Sequence, residues 1–166
     1  SFLIHAPVFG FLALLVFGSF WRLLSTPLWD AIDFQILADA HRLVQDPGAM
    51  FKHLGFYFSQ PVLQLAFLVE YKLFGINPAG YITVNLLIHT LCSFLVYMLV
   101  NLLFPRRGMA VLAAVLFAFG VGSYGKVFMS VHHLEVLLLA SLHLMVLYAF
   151  IRNDHRRGGG LRSPFF

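Results

Sequence analysis

By length the 166 residues would make one soluble domain, but 60% of them are hydrophobic, only 11% are charged, and the mean hydropathy is +0.85. Soluble domains sit at roughly 45–50% apolar and 25% charged, so the composition excludes a soluble domain and leaves little chain for a soluble catalytic one. It predicts an all-α polytopic membrane protein with about four transmembrane spans of roughly 20 residues each. The formal charge of +4 carries no message about partners.

The first apolar run, 2–21, holds His5 as its only ionisable side chain and is long enough to span a bilayer. It lacks an initiating Met and a basic leader, so it does not read as a cleavable signal peptide. Trp21 and Trp29 suit an interfacial belt beyond it. The segment 22–78 is more polar and predicts two amphipathic surface helices. In the first, Thr26 caps, Pro27 opens, and Ile32, Ile36, Ala40, Leu43 and Val44 recur at helical spacing until Asp46-Pro47-Gly48. In the second, Ser59 and Pro61 open a run through Leu63, Leu65, Phe67, Leu68 and Tyr71 that closes at Gly75, too short to span.

Asn77 and Pro78 then cap a second span, 79–104, in which Asn85, His89 and Asn101 are the sizeable polar side chains. The basic turn Pro105-Arg106-Arg107-Gly108 leads to a third span, 109–127, broken by Gly120, Gly122 and Gly125, and a fourth follows at 133–151. Residues 1–157 thus form one transmembrane helical domain, and the Gly-rich tail 158–166 is flexible. Arg106, Arg107, Arg152, Arg156, Arg157 and Arg162 mark the cytoplasmic side, against five acids and three basic residues between Asp30 and Gly80. Both ends are expected inside and the acidic loop 25–80 outside, in a membrane of the bacterial inner type. Cys92 stands alone, so there is no disulfide framework.

The segment Leu73-Phe74-Gly75-Ile76-Asn77-Pro78-Ala79-Gly80-Tyr81, with Asn85 and His89 beyond it, resembles polytopic GT-C glycosyltransferases of the protein O-mannosyltransferase-like and tetratricopeptide-associated branch. The match runs from about Trp29 to Ser130, and Leu73 to His89 is its specific part. The resemblance implies an enzyme that moves a sugar from a polyprenyl-phosphate donor to an acceptor on the outer face, with an acid in the first outer loop as base. Asp30 stands where that acid falls, and Asp33 lies on the same helical face. The solvated alternative is a carboxylate pair favoured by a helix start.

The chain departs from that family at three places. Gly120-Val121-Gly122-Ser123-Tyr124-Gly125 stands where a His-Pro-x-His-x-Glu pattern is usual, Gln60 replaces an Arg, and Ser130-Val131-His132 replaces Ser-Gly-Arg. Losing those charges removes groups that bring donor and acceptor together. The reading preferred from sequence is therefore a catalytically silent accessory or scaffold subunit of a larger membrane complex, respiratory or photosynthetic for example. Its partners are then the lipid bilayer and other membrane subunits, without nucleic acid. The alternatives are an active transferase using a polyprenyl-phosphate sugar, and a haem- or chlorophyll-binding subunit.

Other constellations have two readings each. His132, His133 and Glu135 at the mouth of the fourth span have the ligand types for a metal or a proton relay, or form hydrogen bonds with Tyr124 or Lys126. His89 and His143 are imidazoles at membrane depth that can ligate haem or chlorophyll magnesium, or join helices by hydrogen bonds. No phosphate-binding Gly loop, Cys-x-x-Cys or Ser/His/Asp triad is recognisable.

Overall fold

A computed structural model describes residues 5–27, 31–46, 48, 61–104, 106–120, 130 and 133–156. Every regular element among them is helical. In chain order these are α1 (Ala6–Phe20) with a 3₁₀ extension (Trp21–Ser25), α2 (Ala31–Gln45), α3 (Pro61–Phe74), α4 (Pro78–Leu103), α5 (Arg107–Gly120) and α6 (Leu134–Arg156).

Three of the described helices are long and apolar enough to cross a membrane: Ala6–Ser25, Pro78–Leu103 and Leu134–Arg156. At about 1.5 Å per residue, α4 and α6 reach roughly 39 and 35 Å, beyond a hydrocarbon core of about 30 Å. α5 is apolar but has 14 residues, or roughly 21 Å. The rest of the expected third span, 121–127, lies outside the described residues.

The chain packs as two units. The first comprises the described residues of 1–18, 87–123 and 136–166, and the second those of 19–86 and 124–135.

In the first unit, Leu12 of α1, Phe94 and Tyr97 of α4, and Ala110 and Ala114 of α5 form a buried cluster. Ala110, Ala114 and Ala118, one turn apart, are fully buried. Alanine at that spacing lets helices approach closely, which lipid-exposed bundles need because apolar burial does not hold them together. Phe9 meets Phe94 edge-on at 5.4 Å.

In the second unit α2 packs on α3, and Tyr71 and His41 share a 3.1 Å hydrogen bond between them. The α3–α4 corner follows from its sequence. Gly75 stops α3 with φ +57°, a left-handed conformation that glycine takes without a Cβ penalty. The Asn77 side chain accepts the Ala79 N–H at 3.1 Å and Pro78 opens α4. The Tyr81 hydroxyl donates to the Gly75 carbonyl at 2.6 Å, tying the start of α4 to the end of α3. Phe74 meets Tyr81 edge-on at 5.9 Å and lies over Gly80, where a Cβ would occupy the Phe74 ring.

Two expectations for α2 are corrected. Thr26 does not cap it: its hydroxyl donates back to the Leu23 carbonyl at 2.6 Å, closing the 3₁₀ turn. Val44 lies off the packed stripe and is exposed, and the stripe runs through Asp33, Ile36, Leu37, Ala40 and Leu43 instead. Ser59, the expected start of α3, lies outside the described residues.

The corner predicts opposite outcomes for two glycine substitutions. Gly80→Ala lowers stability by about 1–3 kcal/mol despite better helix propensity, because the ring must move. Gly10→Ala in α1, with open space around it, is neutral or stabilising. Thermal unfolding of both variants in detergent checks the pair.

Candidate functional site

The second unit concentrates buried polar side chains. Asp33, Asp39, Gln64, Glu70, Asn85 and Ser130 are all buried there. A protein interior accepts such groups only with partners, since an unpaired amide or carboxylate costs several kcal/mol.

Asp33 occupies a core position in the first turn of α2 and is fully buried. The Ser130 hydroxyl donates to its Oδ1 at 2.5 Å, across 97 positions of sequence. The Ser130 carbonyl in turn accepts from Asn85 Nδ2 of α4 at 3.2 Å. Carboxylate, hydroxyl, main-chain carbonyl and amide thus form one chain through the unit. It ends on Asn85 Oδ1, a buried acceptor without a hydrogen-bond partner among the described residues.

Glu70 is a second buried carboxylate. Neither of its oxygens has a hydrogen-bond partner among the described residues, and burial pushes its pKa up to about 8. It shares the inward face of α3 with Leu63, Gln64 and Phe67, while Val62, Leu65, Val69 and Leu73 form an exposed apolar stripe. Both faces of the helix thus carry apolar side chains. Asp39 is raised by burial and lowered in part by Arg42, whose guanidinium lies 3.4 Å from it.

The remaining candidates separate. Asp30 and His132 lie outside the described residues. Glu135 is half-buried in the first turn of α6, with His133 just before it. His89 in the first unit is buried, its Nε2 3.1 Å from the Ala118 carbonyl and its ring stacked on Phe117 at 5.5 Å. That bond joins α4 to α5. His143 is exposed, and its Nδ1 lies 2.7 Å from the Leu139 carbonyl of its own helix. Among the described residues, no three His, Cys, Asp or Glu side chains gather to hold a metal.

Sequence periodicity missed Glu70, Gln64 and Ser130. The signal for the first two was present: Gln64 and Glu70 fall in register with Leu63 and Phe67 on one helical face. Comparison with family models, curated proteins and solved structures finds no match for the chain.

Glu70 makes stability depend on pH. The unfolded chain releases this proton near 4.5 and the folded chain near 8, so the folded form holds more protons between those values. Stability is then highest at the acidic end, falls as pH rises across the window by on the order of 3–5 kcal/mol, and levels off above it. Glu70→Gln flattens the profile of melting temperature against pH. Parallel profiles for the two proteins contradict the burial of an unpaired carboxylate.

Proposed function

We propose that the chain is the membrane frame of a GT-C-like sugar transferase, with the polar second unit as its reaction centre. The observation that carries this reading is the Asp33–Ser130–Asn85 chain. A helix with an apolar packing stripe has placed a carboxylate at its first core position, where Ile or Leu costs nothing to bury. Fully buried carboxylates are rare in any protein and persist where fixed partners hold them. Asn85 falls in the specific part of the family resemblance, and Asp33 and Ser130 in its wider span.

In this reading Asp30 takes the proton of the acceptor hydroxyl. The acceptor oxygen bonds the sugar's anomeric carbon as the bond from that carbon to the donor phosphate breaks, and the phosphate leaves with the electron pair. Asp33 is a positioning residue, holding the start of α2 through Ser130. The transferase architecture has four spans, the third beginning with α5, and α3 lies along the bilayer surface with Val62, Leu65, Val69 and Leu73 toward lipid. Both ends are cytoplasmic by the distribution of arginines. The joint lining of one groove by His5, at the start of α1, and Arg152, near the end of α6, supports that orientation.

A second reading is favoured by one observation. Gly120 to Gly125 stand in place of the family's His and Glu, so the same frame serves as an accessory subunit of a membrane complex without turnover.

Transfer of labelled sugar from a polyprenyl-phosphate donor by the full-length protein in proteoliposomes separates the two. The transferase reading expects turnover that Asp30→Asn lowers by about 10²–10⁴-fold. Asp33→Asn lowers kcat with little change in donor KM. Absence of transfer, with the protein purifying at a fixed ratio with other subunits, overturns it in favour of the accessory reading.

A further inference from the structure

Within the first unit, a groove of about 480 Å³ runs between α1, α4 and α6. Its wall is apolar, with Phe94, Met98 and Leu102 of α4 among its residues, and its polar end carries His5, Tyr148 and Arg152. The Arg152 guanidinium lies over the Tyr148 ring, 5.9 Å from its centroid, and it has no ion pair among the described residues. His5 Nδ1 shares a 2.9 Å hydrogen bond with the buried Tyr97 hydroxyl, which fixes the ring and leaves Nε2 for another partner. Among the described residues, no carboxylate lines the groove.

We infer that this groove is a binding site for an anionic glycerophospholipid, independent of any transferase activity. Arg152 receives the headgroup phosphate, assisted by His5 Nε2–H when the Tyr97 hydroxyl donates to Nδ1. One acyl chain lies along Phe94, Met98 and Leu102. The division of the groove into a cationic end and an apolar wall matches an amphiphile and no simple anion or hydrocarbon. Guanidinium at such an end prefers phosphate oxygens, which it can meet with two parallel N–H donors. Basic pockets between transmembrane helices recognise acidic headgroups by the same means.

The test is native mass spectrometry of the full chain released from nanodiscs holding equimolar phosphatidylglycerol and phosphatidylcholine with identical acyl chains. The expected result is a retained lipid enriched in phosphatidylglycerol by about fivefold or more, the factor one juxtamembrane arginine supplies. Arg152→Gln, at an exposed position, returns the ratio to that of the bilayer, and Met98→Trp, which fills the groove, removes adducts of both lipids. Millimolar inorganic phosphate leaves the enrichment in place. Retention that mirrors the bilayer, enrichment that survives Arg152→Gln, or complete displacement by inorganic phosphate overturns the assignment.

Discussion

The 2.5 Å hydrogen bond from Ser130 to Asp33 is the constraint around which the second unit is organised. The chain has only seven acidic residues, and this one is fully buried. An isolated buried carboxylate is costly enough to expel itself or take up a proton, so it persists where donors are fixed around it. Ser130 supplies one, and its carbonyl is itself held by Asn85. Each member positions the next, so α2, α4 and the backbone at Ser130 are specified together. Apolar residues of equal volume pack without that demand for register, which makes the network a device for specifying one arrangement.

The residues that carry the family resemblance are largely accounted for by structure. Gly75 supplies a positive φ, Asn77 and Pro78 start α4, Gly80 admits the Phe74 ring, and Tyr81 ties the corner. Asn85 holds Ser130, and His89 joins α4 to α5. A pattern built this way specifies how one helix turns into the next, whether or not a reaction is retained. For this chain the motif is accounted for by the way α3 turns into α4.

Much of the fold is legible in the sequence because helix ends obey local rules. The end of α3 at Gly75 and the start of α4 at Asn77-Pro78 are set by neighbouring residues alone. The interior of the second unit was harder to read, since periodicity finds an apolar stripe without saying which side of it faces protein. On α3 the run used to recognise the helix divides, with Leu63 and Phe67 buried and Leu65 exposed. Apolar side chains stand on both faces of α3, so periodicity alone does not say that Glu70 turns inward. On α2 Asp33 is a candidate beside Asp30 in the sequence, but the rule that core positions are apolar does not place it in the packed stripe with Ile36, Leu37 and Ala40. Its partner Ser130 is distant in sequence, and nothing local announces it.

A double-mutant cycle on Asp33 and Ser130 tests this account most directly, using Asp33→Ala, Ser130→Ala and the pair, with unfolding followed in detergent above the titration range of Glu70. If the hydrogen bond organises the unit, the two substitutions are coupled by about 1.5–3 kcal/mol, the worth of a charged hydrogen bond, and the double variant is little worse than the poorer single one. Strict additivity, with each substitution costing the same in the presence or absence of the other, contradicts it.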